Sequence, residues 1–155
     1  LPFSMDKYSI RIQTSRGCPY SCAFCVDHIF WKRLRFVPTV KVIEELKLLR
    51  KKLPKKTHIH FIDSIFTVDM ERVSKLCKEV ERHKLDFKFS ADIRANLINK
   101  KLVKTMESAG FTQLLIGFED PNDKVLRIVN KNLSFQECVD AAKMIKENSK
   151  MLTTA

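Results

Sequence analysis

Glycine is scarce, with three residues in 155, and proline numbers only five. That excludes a collagen-like or low-complexity chain. No apolar run approaches the ~18 residues of a membrane span, so no membrane partner is expected. No signal peptide is expected either, because Asp6 and Lys7 break the apolar start. The five cysteines are an odd number, which argues against a pure disulfide framework and for reduced thiols in a cytoplasmic setting. Acidic residues are in deficit: 18 Asp and Glu against 29 Lys and Arg leave a net charge of +11. Such a balance suits nucleic acid, an anionic cofactor or an acidic partner. The lysines are spread over most predicted helices, with only Lys51-Lys52 and Lys55-Lys56 in a small cluster. A single nucleic-acid groove would concentrate them more, so nucleic acid is not the favoured partner.

At 155 residues the chain fits one domain on length alone. Chains of this size bury ~70% of their surface, enough for a core without staples. A complete eight-stranded barrel needs about 250 residues and does not fit.

Hydrophobic periodicity divides the chain into alternating elements. Residues 1–7 read as an irregular lead-in. Tyr8, Ile10, Ile12 and Thr14 alternate with polar residues, the period of a strand. A loop through Gly17 and Pro19 follows, and runs to Pro38. A helix is predicted over 38–52, with Val42, Leu46, Leu49 and Leu53 on one face. A second strand covers 57–63 and a second helix 69–83. A third strand over 86–92 sets Phe87, Phe89 and Ala91 against Lys88, Ser90 and Asp92. Asn99 caps a third helix that Gly110 ends. A fourth strand covers 111–119, then a short helix 122–129. Ser134 and Glu137 form a capping box for the last helix. Only seven residues follow it, and no fifth strand is expected there. Strands alternating with helices imply a parallel sheet in an α/β fold.

The chemistry concentrates in Cys18-Pro19-Tyr20-Ser21-Cys22-Ala23-Phe24-Cys25. Three thiolates this close repel one another unless a cation neutralises them, and thiolate sulfur selects zinc or an iron–sulfur cluster. A four-iron cluster held by three cysteines keeps one iron open to a ligand. Other readings stand beside this one. Positions 18, 22, 25 and 29 also fit one helix face, although Gly17 and Pro19 oppose a helix there. His28 is a fourth ligand for a structural zinc. His58 and His60 alternate on one strand and read as core or surface histidines. Cys77 and Cys138 read as packing residues between helix and sheet.

The stretch Ser15-Arg16-Gly17-Cys18-Pro19-Tyr20-Ser21-Cys22-Ala23-Phe24-Cys25 resembles the cluster loop of radical S-adenosylmethionine (radical SAM) enzymes. It is most similar to the branch that often carries a cobalamin-binding domain. Trp31-Lys32-Arg33, Phe61-Ile62-Asp63-Ser64-Ile65-Phe66-Thr67, Ala91-Asp92-Ile93-Arg94-Ala95 and Gly117-Phe118-Glu119 extend the likeness in the same order. The resemblance implies a parallel-stranded partial (βα) barrel of which this chain supplies about four of six units. Residues 1–155 then form the N-terminal two-thirds of the catalytic domain, with no second domain. It implies that Cys18, Cys22 and Cys25 hold a [4Fe–4S] cluster whose open iron chelates SAM. Phe24 would lie beside the adenine. Asp63 and Ser64 would receive the SAM amino group, Ser90 and Arg94 its polar moieties, and Glu119 its ribose or amino-acid portion. The expected activity is reductive cleavage of SAM to a 5′-deoxyadenosyl radical that abstracts hydrogen from a substrate the sequence does not name. An electron donor such as a flavodoxin or ferredoxin is implied, and cobalamin through a domain not present here. Two rival readings are an RNA-modifying enzyme like the methylthiotransferases, and a non-enzymatic zinc-stabilised module using Cys18, Cys22, Cys25 and His28.

Overall fold

The computed structural model describes residues 9–154, so the lead-in 1–7 and Tyr8 lie outside the described residues. Its frame is a five-stranded parallel sheet: β1 (Ser9–Ile12), β4 (His58–Phe61), β5 (Lys88–Ile93), β6 (Phe111–Ile116) and β7 (Leu152–Thr154), adjacent in that order. Between β1 and β4 a small antiparallel pair, β2 (Ser15–Arg16) and β3 (Arg35–Phe36), encloses the cysteine loop and the short helix α1 (Asp27–Phe30). The long helices are α2 (Thr39–Lys52), α3 (Met70–Arg82), α4 (Lys100–Ser108) and α6 (Phe135–Asn148), with the short α5 (Asp123–Ile128) before α6.

The alternation read from sequence decides which face of the sheet meets the helices. Ile59, Phe61, Phe89, Ala91, Leu114 and Ile116 are buried together with Val42, Leu46, Val73, Leu76 and Met106 of the helices. Four phenylalanines form the centre: Phe61 lies 4.6 Å from Phe66, 5.4 Å from Phe89 and 5.9 Å from Phe111, between ring centroids. Cys77 and Cys138 are fully buried in the same core. Residues of opposite parity, among them His60, Asp92 and Gln113, are only part-buried on the other face. That polar concave face is where a partial barrel leaves room for ligands.

The caps behave as their side chains dictate. The Asn99 side chain accepts from the Leu102 N–H, and Ser134 and Glu137 close a reciprocal box at the start of α6. Strand boundaries differ from the sequence reading: the second strand ends at Phe61 rather than at 63, and the fourth at Ile116 rather than at 119. The first strand stops at Ile12 because the Thr14 N–H turns to the Asp63 carboxylate instead of a strand partner. The third begins at Lys88 and extends to Ile93. One expectation is corrected. A fifth strand does follow the last helix, since Leu152–Thr154 pairs parallel with β6 through Gln113↔Leu152 and Leu115↔Thr154. Three residues are too short a run to show alternation, and their pairing is decided by the exposed edge of β6. Among the described residues, no helix is long and apolar enough to cross a membrane.

Candidate active site

The cysteine loop is fixed at its root by a buried polar network. Asp63, fully buried at the end of β4, accepts from the Thr14 N–H at 2.6 Å, the Ser15 N–H at 2.8 Å and the Thr14 hydroxyl. Arg72 of α3 reaches the same point, donating to the Thr14 carbonyl at 2.9 Å and the Val37 carbonyl at 3.4 Å, with Phe36 stacked 4.8 Å away. Burial lowers the Arg72 pKa below its ordinary value, and the nearby Asp63 and Asp69 charges oppose that shift. Gly17 closes the loop with φ +90, where a Cβ would stand 2.6 Å from the Arg33 carbonyl oxygen. No other residue type fits that approach and that dihedral together.

Cys18, Cys22 and Cys25 are all free thiols. The Cys25 N–H donates to the Cys22 carbonyl at 3.0 Å, so the last two sit on one tight turn. Burial raises the Cys18 pKa, the Tyr20 N–H partly offsets this, and Cys25, Cys22 and Asp27 push it further up. The three sulfurs therefore share one electrostatic neighbourhood and want a cation. Among the described residues, no three His, Cys, Asp or Glu side chains converge on a point that could hold one metal ion. His28 is not brought into such a set with the cysteines. Thiolates on one tetrahedral zinc at ~2.3 Å stand about 3.8 Å apart, whereas thiolates on a four-iron cluster bind different irons and stand wider. The donor set of three soft thiols in one loop fits such a cluster.

Beside the loop, the carboxyl ends of β4, β5 and β6 enclose a cavity of about 330 Å³. Ser64, Asp92, Arg94, Gly117, Glu119 and Lys131 line it. Ser64 donates to the Asp27 carboxylate of α1. Arg94 is 2% exposed; it donates to the carbonyls of Lys131 and, at 3.3 Å, Asn132, and to Asn96 Oδ1 at 3.2 Å. Its guanidinium carbon lies 3.9 Å from the Tyr20 ring centroid. These hydrogen-bond acceptors are all neutral. Glu119 accepts from Lys131 Nζ at 2.8 Å. A Cβ on Gly117 would lie 2.8 Å from both ends of that pair, so the bare backbone makes room for it.

The residues singled out from sequence separate into groups. Ser64, Arg94 and Glu119 meet in one cavity, and Phe24, half exposed, stands with its ring 5.9 Å from Lys131 Nζ. Asp63 does not face the cavity: its oxygens are engaged at the loop root. Ser90 is buried on the concave side, 2.8 Å from His60 Nδ1, and His60 Nε2 stands 3.6 Å from Asp92. Sequence reasoning missed Arg72, Asn130 and Lys131. Arg72 interrupts an apolar helix face, a signal that was readable. Asn130 and Lys131 sit in a polar loop and left no periodic trace.

The sequence profile described as the radical SAM superfamily matches residues 12–154. An uncharacterized methyltransferase of Pyrococcus horikoshii is 33% identical over 150 residues, which cover 92% of this chain and 32% of that protein. The anaerobic magnesium-protoporphyrin IX monomethyl ester cyclase of Rubrivivax gelatinosus is 26% identical over 136 residues, covering 86% and 24%. The chain thus spans a third or less of the length of these relatives. Among solved structures, the radical S-adenosylmethionine methyltransferase of Kitasatospora setae with cobalamin and [4Fe–4S] cluster bound superposes with a TM-score of 0.81 at 17% identity, over 93% of this chain and 29% of that one. A cobalamin-dependent S-adenosylmethionine radical enzyme, with aqua-cobalamin and S-adenosylmethionine bound, gives 0.81 at 22% identity over 94% and 23%. At these identities the two structures establish the fold.

Proposed function

This chain belongs to the radical SAM superfamily, and on that premise we propose that it is the first part of a catalytic domain that binds a [4Fe–4S] cluster and cleaves SAM reductively. The carrying observation is the juxtaposition of a three-thiol loop with a strand-end cavity lined by the buried Arg94 guanidinium, whose hydrogen-bond acceptors are neutral oxygens. Cys18, Cys22 and Cys25 would hold the cluster. Once reduced by an external one-electron donor, a cluster held there would supply the electron for reductive cleavage of the bond between the SAM sulfonium and its adenosyl carbon.

The chain's own residues do the positioning. Arg94 attracts the carboxylate of the amino-acid portion, and its burial strengthens that attraction by excluding water. Ser64, Asp92 and Glu119 offer acceptors to ammonium and hydroxyl groups. Phe24 offers an aromatic face at the rim. Asp63, read from sequence as a cofactor contact, is instead assigned to holding the loop root. The raised Cys18 pKa means that loading must displace a tightly held proton, so assembly should improve as pH rises. The reducing compartment such thiols require agrees with a cytoplasmic setting. For the whole protein, the methyltransferase relative favours a methyl-transferring enzyme, with cobalamin and an electron donor as further participants. Replacing Cys18, Cys22 and Cys25 by alanine should abolish iron retention and SAM cleavage while leaving the helical circular dichroism in place. Unchanged iron and cleavage in that triple variant would refute the assignment.

A further inference from the structure

Residues 129–132, between α5 and α6, touch both the cysteine loop and the cavity. Toward the loop, the Val129 carbonyl accepts from the Ala23 N–H at 2.8 Å. Asn130 Nδ2 donates to the Ser21 carbonyl at 3.1 Å and to the Ser21 hydroxyl at 2.7 Å. These contacts grip the residues on either side of Cys22. Toward the cavity, Lys131 Nζ donates to Glu119 at 2.8 Å, and the Lys131 carbonyl accepts from Arg94, which stacks on Tyr20.

Two features set this segment apart from an ordinary helix connection. Asn130 and Asn132 flank Lys131 with φ of 55 and 51, and Glu119 has a φ of 66. Left-handed backbone is costly for residues other than glycine, and asparagine bears it best. Lys131 itself is only 7% exposed. Burying an ammonium costs desolvation, and an apolar side chain would fill the space without that cost. Strain and a buried charge thus converge on one chain of contacts: cavity, Glu119, Lys131, Asn130, Ser21, Cys22.

We infer that Asn130 and Lys131 are positioning residues that form a latch, through which the contents of the cavity and the geometry of the cysteine loop are coupled. The inference rests on the proposed function for the identity of what fills each site. A ligand that engages Glu119 changes the partner of Lys131, and the shared backbone carries that change to Ser21 and Ala23. Coupling between two binding sites is reciprocal, so a loop fixed by its cluster also prepares the cavity.

Two variants test the latch. Asn130→Gly keeps the left-handed backbone and removes the amide; Lys131→Met keeps the stem and removes the charge. In metal-free protein, amide hydrogen exchange at Ala23 should quicken about tenfold in each, with Lys131→Arg restoring the slow rate. In reconstituted protein, the SAM concentration that half-shifts the electron paramagnetic resonance (EPR) signal should rise about fivefold or more in each. The double variant should be no worse than either alone, because the two act in one chain. Wild-type exchange at Ala23 in Lys131→Met, or effects that multiply in the double variant, would overturn the latch. If wild-type protein assembles no cluster, the proposed function falls, while the exchange measurement still decides the latch.

Discussion

Single residues fix the cysteine loop, and several of them do so from a distance in sequence. Asp63 satisfies two backbone N–H groups and a hydroxyl at the start of the loop. Asp63→Asn keeps the shape but turns one acceptor into a donor facing donors. It should cost about 2–3 kcal/mol, the scale of a disrupted buried hydrogen bond to a charged group, read from urea denaturation. A cost under about half a kcal/mol would return Asp63 to the cavity. A cofactor contact at Asp63 is what the family resemblance implies for the end of this strand. Its place at the end of β4 is legible, but the direction of its carboxylate depends on Thr14 and Ser15, which lie 49 and 48 positions away in sequence. The cysteine spacing was legible because all three thiols fall within eight consecutive residues. Lys131 was not, because a buried lysine in a polar loop looks like an exposed one until its neighbours are placed.

At the scale of elements, periodicity recovered what burial dictates. Each long helix and each of the first four strands of the main sheet carries a stripe or alternation that matches its buried face. The small β2–β3 pair and β7 escaped because two or three residues cannot show a period. Their pairing comes from the neighbouring backbone. The β7 strand covers the edge of β6, where Leu114 opposes Thr153. Thr153→Pro should strip that edge, because proline cannot donate to the ladder. The exposed β6 edge then becomes a template for association. Analytical ultracentrifugation should show concentration-dependent oligomers absent from the parent chain; a monomer at all concentrations would mean that β7 does not protect the edge.

The whole molecule joins a helix-backed core to a polar concave face, and its stability and its chemistry are separable. Cys77 lies in the core, far in sequence from the cysteine loop, and burial pushes its thiol up to about 12 from an ordinary value of 9.0. A group whose folded pKa is raised stabilises the fold fully below its unfolded pKa and loses that contribution as pH climbs to the folded value. Thermal stability should therefore fall between pH 9 and about 12. Cys77→Ala, less stable at neutral pH because of its cavity, should show a shallower fall over the same window; parallel curves would contradict the assignment. On the other face, three thiols in one loop lie beside the strand-end cavity for which SAM binding is proposed. That site is tested most directly on anaerobically reconstituted protein, by iron and sulfide analysis with EPR of the dithionite-reduced form before and after adding SAM. The account predicts about four irons and four sulfides per chain and a spectrum that shifts when SAM reaches the open iron. One zinc without sulfide, or a four-iron spectrum indifferent to SAM, would contradict it.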